Sequence, residues 1–317
     1  MNEVGAVAIE LLDNWIILGL FAAGAWAMSS LLDVCFVGEK IYRDPLDGPA
    51  IVGLFCLFPA LAAARSLGTA DIAWEGASLA MLSALCYLLH LYFYFRALFE
   101  LNDASNAEIF NTLSVLLVPI LAFVFLGERM AWANYVAIVV AGVGVVLLVI
   151  FQSARLSRSG IVFLIFSVTF VSLSMVMQAQ ALQFADYGVT AGVFSVTAFL
   201  LAALGLAVAR ARRRHVLRIC RKFSLAFVLV QALELAAVFG SQRAIDIGPS
   251  VSLVALLESA LPIFIMIFSW FFIAASRRWQ IVDMTIVRSA LSPQIAAAPS
   301  KLTALAMIVA AIALAQP

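Results

Sequence analysis

Charge, cysteine and histidine are all scarce in this chain, and each scarcity excludes a class of function. Only 12% of the 317 residues are charged, about half of what a soluble domain carries. The formal net charge is +1, so there is no electrostatic footprint for a nucleic-acid partner. The four cysteines (Cys35, Cys56, Cys86, Cys220) are scattered, with no C-x-x-C pair, and supply neither a disulfide framework nor a metal knuckle. His90 and His215 are the only histidines and stand far apart, so the sequence offers no zinc, haem or iron–sulfur ligand set and no cofactor is expected. No G-x-x-x-x-G-K-[ST] loop is present to cradle ATP, and no G-x-S-x-G elbow to present a nucleophilic serine. An enzyme is therefore not expected.

Apolar sequence fills the space that charge leaves. Hydrophobic residues make up 65% of the chain, and the mean hydropathy is +1.10. A bilayer core asks for about 20 apolar residues per helix. On that measure the chain divides into ten segments near 15–37, 49–64, 77–99, 105–126, 132–151, 160–183, 188–209, 223–243, 249–273 and 301–316. Turn signals separate them, among them Gly-Glu-Arg at 127–129 and Ile-Gly-Pro at 247–249. The fold expected is an all-α membrane protein of ten transmembrane helices, with no loop long enough for a soluble domain.

The chain also repeats itself. Arg-Ala-Leu at 96–98 leads through a polar break into an apolar run closed by Pro119, and Arg-Ala-Ile at 243–245 leads through Asp-Ile-Gly-Pro into one closed by Pro262. Setting Arg96 against Arg243 puts Tyr87 opposite Glu234, while pairing the prolines requires a gap of four residues. A looser match sets Trp26 to Asp33 against Val171 to Gln178. Five segments in each half make the halves inverted with respect to one another, the organisation of many secondary carriers. The expected units are residues 1–152 and 160–317.

Charge bias orients the segments. Lys40, Arg43, Arg96, Arg155, Arg158, the run from Arg210 to Lys222, Arg277, Arg278, Arg288 and Lys301 fall on one face, leaving Arg65, Arg129 and Arg243 for the other. The crowded face is the cytoplasmic one by the positive-inside rule, which puts both termini outside. The acidic N-terminus lacks a signal peptide's basic region, so its first apolar stretch is expected to stay as a span. The basic run from Arg210 is expected to anchor against anionic lipid. Residues 274–300 read as an insertion, with an amphipathic stretch from Trp279 suited to the interface.

Residues 94–148 carry a familiar order: Tyr94-Phe-Arg-Ala-Leu, then Pro119, then Phe125-Leu-Gly-Glu-Arg-Met-Ala-Trp, then Ala141-Gly-Val-Gly-Val-Val-Leu-Leu. This resembles the EamA-type unit of the drug/metabolite transporter superfamily, and residues 160–273 resemble the same unit. The resemblance implies a ten-helix carrier of two inverted five-helix halves in the cell inner membrane. Its cavity would be lined by the first, third and fourth helices of each half. It also implies cytoplasmic termini, against the charge bias. The Leu-Gly-Glu turn has no counterpart after Phe272, where Ala-Ala-Ser-Arg-Arg stands.

Polar residues within apolar spans are costly, and they point to the site. Glu234 and Glu258 sit in spans that the resemblance makes cavity-lining. A carboxyl group on a substrate path can take up and release a proton, as a proton-coupled carrier requires. Their bland alternative is an interhelical hydrogen bond or a pair with Arg96 or Arg243. Tyr87, His90 and Tyr94 share one helix face, suited to a flat or cationic ligand or to plain helix packing. Asp33, Gln178 and Trp26 complete the candidates, with interfacial or packing roles as alternatives. Pro119 and Pro262 are expected to bend their helices at matched points. Glu128 is expected to cap or pair locally, and Gly142 and Gly144 to allow close helix approach. The function expected is a secondary transporter of a small organic metabolite or drug, with protons as co-substrate and the bilayer as surroundings. Its rival is a non-transporting membrane protein, a lipid-handling or assembly factor that reuses the fold.

Overall fold

A computed structural model describes residues 13–38, 41–64, 67, 73–101, 104–152, 157–222, 224–279 and 298–315. All regular structure among them is α-helical. The helices are α1 (Trp15–Gly38), α2 (Asp47–Phe55), α3 (Leu57–Ala62), α4 (Trp74–Leu101), α5 (Ala104–Asn111), α6 (Ser114–Leu126) and α7 (Trp132–Gln152). They continue with α8 (Arg158–Ala181), α9 (Tyr187–Val208), α10 (Arg210–Lys222), α11 (Ser224–Ile247), α12 (Val251–Glu258), α13 (Leu261–Trp279) and α14 (Ala298–Leu314). Among the described residues, eight stretches are long and apolar enough to cross a membrane. The second and tenth segments of the sequence reading are shorter apolar helices, Asp47–Ala62 and Leu302–Leu314. Large apolar side chains such as Phe123, Val124, Leu200, Leu204, Trp270 and Phe271 face outward. A water-soluble protein does not leave so much apolar surface open. The chain is a multi-pass membrane protein.

Lipid is as apolar as leucine, so helices in a bilayer associate through close packing and polar contacts. The most extensive contacts join α4 to α8, α1 to α11 and α7 to α14. Between α4 and α8, Ser83 donates its hydroxyl to the Ser174 carbonyl and Ser174 donates to the Ser83 carbonyl, each at 2.9 Å. Beside them Phe93 stacks on Phe166 and Phe170, with centroids 5.1 and 5.6 Å apart. Between α7 and α14, a Cβ on Gly144 would lie 2.8 Å from the Ala304 carbonyl oxygen, so only glycine admits this approach.

Two spans are broken midway. The first breaks at Thr112–Leu113 between α5 and α6, the second at Ser259–Ala260 between α12 and α13. Pro119 lies inside the continuous α6 and does not mark the first break. Pro262 is the second residue of α13, just past the second break. The matched points expected at the two prolines are therefore displaced. Tyr87 and Glu234 are 147 residues apart, and the same separation relates Arg96 to Arg243 and the first break to the second.

The hydrogen bonds repeat at that separation. Thr112 donates its hydroxyl to the Ile109 carbonyl and Ser259 donates to the Leu256 carbonyl, both at 2.6 Å. Leu113 N–H bonds the Phe110 carbonyl as Ala260 N–H bonds that of Leu257, both at 3.0 Å. Where Val115 donates its N–H to Thr112 in the first break, the second has Pro262, which has no N–H to give. Proline fits there because the second break does not use that N–H; it has instead a bond from Phe264 N–H to the Ala260 carbonyl at 3.4 Å. No gap of four residues is needed.

Outside the core, Gly127 closes α6 with φ of 65°, a left-handed turn that suits glycine. The neighbouring Glu128 accepts from the Ser250 hydroxyl at 2.8 Å, a partner 122 positions away rather than a local one. Ser250 also caps α12 by accepting from Leu253 N–H at 3.1 Å. Ser250→Ala is expected to cost about 1 kcal/mol of stability through the lost cap, read as a lower melting temperature in detergent.

The basic helix α10 is amphipathic. It buries Val216 and Ile219 while Arg213, Arg214, Arg218 and Arg221 stay exposed. Its inner edge docks on the loop before α2: Arg212 pairs with Asp44 at 3.1 Å, and His215 lies 3.5 Å from Asp47. The expected lipid anchor is thus also tied to protein. Of the 274–300 insertion, α13 continues through Trp279, while residues 280–297 lie outside the described residues.

Candidate functional site

The breaks in the two spans put short helices, α5 and α12, at the protein's centre beside α1, α4, α8 and α11. Every residue of α12 is buried. Interrupted helix is tolerated at membrane depth only where protein or a cavity surrounds it. A cavity of about 70 Å³ opens here, lined by Trp26, Ser30, Asp33, His90, Tyr94, Glu108, Asn111, Glu234 and Glu258, among others. Six of the eight pathway residues expected from the sequence share this wall. Tyr87 and Gln178 line a smaller adjoining pocket of about 30 Å³, and Trp26 borders both spaces.

Glu234 is the most heavily bonded acid. Trp26 donates its indole Nε1–H to Oε1 at 3.3 Å, and Ser29 donates its hydroxyl to Oε2 at 3.1 Å. Tyr87 donates its phenol to Oε1 as well. Three helices thus converge on one carboxylate: α1 with two donors, α4 with one, and α11 with the acceptor. Tyr87 and Glu234, which the Arg96–Arg243 register sets opposite one another, are in direct contact.

The other acids have fewer partners. Among the described residues, Glu258 accepts from Ser241, Glu108 accepts from Ser30, and Asp33 accepts from the Tyr42 hydroxyl at 3.5 Å. Neither arginine proposed as a counter-ion reaches them. Arg243 pairs with Asp246 and Asp13 and lies over the Tyr187 ring. Arg96 pairs with Glu100 at 3.5 Å and lies over Phe163.

On the opposite side His90 carries a polar relay. Its Nδ1 lies 2.9 Å from the Ser167 hydroxyl, which donates to Asn111 Oδ1 at 2.9 Å. The Tyr87, His90 and Tyr94 rings form a ladder along α4, with centroids 6.0 and 6.2 Å apart. Gln178 is buried, and neither side-chain amide atom meets a hydrogen-bond partner among the described residues.

Glu108, Asn111 and Ser30 belong to the site, and the sequence reading passed over them. Glu108 lies near the start of the fourth apolar segment, close to the polar break after Arg96, and the sequence reading gives it no role. The register carried the missing signal, since Asn111 precedes the first break as Glu258 precedes the second.

Together, the fold and this centre define an all-helical, multi-pass membrane protein with a buried acidic cavity. No family model and no curated protein matches the chain. Among 28 solved chains of similar fold, a crystal structure described only as "Crystal structure of protein" has a TM-score of 0.64 at 18% identity. The match covers 95% of this chain and 96% of that one. At that identity the likeness establishes a shared fold over nearly the whole length and says nothing of activity.

Proposed function

We propose that this chain is a secondary transporter of the EamA type, within the drug/metabolite transporter superfamily. On this reading ten helices form two inverted five-helix repeats, with α2–α3 and α14 completing the count of spans. It sits in the cell inner membrane and moves a small organic metabolite or drug by alternating access. Protons bind at Glu234 and Glu258 and exchange against substrate.

The cavity lined by Asp33, Glu108, Glu234 and Glu258 carries the proposal. Buried acids in a membrane protein are expensive to keep, and they mark ion and substrate paths. The paired breaks at Thr112–Leu113 and Ser259–Ala260 flank that cavity, and their matched bonding supports the two-repeat reading. Helices broken at the depth of the site supply the hinges that alternating access needs.

The test is substrate-driven proton flux in liposomes holding the protein and a pH-sensitive dye. A panel of amino acids, amines, sugars and nucleobases would be offered from outside. A pH change driven by one compound is the expected result. Silence across the panel, together with absent tracer uptake, would overturn the transport reading in favour of a lipid-handling or assembly factor.

A further inference from the structure

We infer that the cavity selects a small organic cation, an ammonium compound held between Asp33, Glu258 and Glu108. The inference deepens the transport reading and rests on it only for the ligand being cargo.

Charge balance is the first argument. The cavity wall carries four carboxyl groups, and among the described residues that line it there is no lysine or arginine. The arginines nearest in sequence to Glu108, Glu234 and Glu258, which are Arg96 and Arg243, have other partners. Ionised acids in a low-dielectric centre require a compensating positive charge, whether a proton or a bound cation. An anionic ligand would add to the uncompensated charge.

Bonding capacity is the second argument, and it separates the four acids. Glu234 already accepts from Trp26, Ser29 and Tyr87. Glu258 accepts one short bond, Glu108 accepts one from Ser30 with Tyr94 and Asn111 also beside its carboxyl, and Asp33 accepts a long one at 3.5 Å. A carboxylate offers about four lone-pair sites, so these three retain acceptors for a ligand's N–H groups. An ammonium is all donor, and its bonds to carboxylates are charge-assisted.

Geometry is the third argument. Among the described residues, no three acidic, histidine or cysteine side chains gather around one point as a metal site requires. One small ion cannot satisfy groups spread along a wall, whereas a molecule with several N–H donors and an apolar body can. Trp26 and Tyr94 on the same wall offer ring faces that attract cations. The cavity, at about 70 Å³, has room for about five waters, the size of a short alkylamine.

The test uses three compounds of one skeleton and different charge: butylamine, butyramide and butyrate. Each is titrated calorimetrically into the full-length protein in nanodiscs, with empty nanodiscs as the blank. Butylamine is expected to bind at least about tenfold more tightly than the other two, a difference of about 1.4 kcal/mol. Asp33→Asn and Glu258→Gln are each expected to weaken butylamine at least about tenfold while leaving butyramide unchanged. If one variant fails to fold, the other carries the comparison. Equal binding of butyramide or butyrate, or no heat above the blank from butylamine, overturns the inference. Butylamine bound in nanodiscs, with silence across the whole liposome panel and no tracer uptake, keeps the cation site and overturns the transport reading instead.

Discussion

Glu234→Gln is expected to abolish substrate-driven proton flux in liposomes, by about a hundredfold or more, while the protein stays folded. An amide has nearly the carboxylate's shape and keeps one oxygen acceptor for Trp26, Ser29 or Tyr87. It cannot hold an exchangeable acidic proton. Glu234→Ala is expected to do something different. It removes the acceptor from three buried donors, and each one left unpaired costs about 1–3 kcal/mol. Neighbours and water will recover part of this, so a loss of about 3 kcal/mol is the expected size. Thermal melting in detergent separates the outcomes: Gln near wild type and Ala far below it. A Gln variant with full proton flux would remove Glu234 from the proton path.

Gly53→Ala is expected to destabilise the protein by about 2 kcal/mol, within the range for overpacked sites. Gly53 on α2 faces α9, and a Cβ there would lie 2.5 Å from the Ala202 Cβ and 2.9 Å from the Ala198 carbonyl oxygen. Neither neighbour has a flexible side chain that could swing aside, so the helices must separate. Gly53→Ala combined with Ala202→Gly removes the nearer clash and is expected to recover part of the loss. Melting temperature and elution profile check both variants. A single variant that melts with wild type would mean that α2 and α9 pack less closely than described.

Apolar run lengths carried the helices into view from sequence, because a span must be apolar along most of its length. The short second and tenth segments were legible as apolar and poorly legible as to length. Six of eight pathway residues line one cavity because each is a polar group in an apolar run, which a sequence displays directly. Glu108 did not stand out, since its local surroundings, from Asn102 to Asn111, are polar. Its burial comes from helices distant in sequence. The prolines misled for a related reason. Proline is conspicuous, whereas the hydroxyl bonds of Thr112 and Ser259 that accompany the breaks belong to ordinary-looking residues. Contacts such as Ser250 with Glu128 leave no periodic trace at all.

The bonding of Glu234 bears on the order in which the protein is made. Trp26, Ser29 and Tyr87 precede their acceptor by 208, 205 and 147 residues. A ribosome delivers all three donors to the membrane well before α11 exists to receive them. Through that interval α1 and α4 carry an indole and two hydroxyls without the carboxylate they finally bind. They are therefore free to pair with water, lipid headgroups or one another. Arrival of α11 closes all three bonds on a single side chain, and α12 with Glu258 still has to follow before the cavity wall is complete.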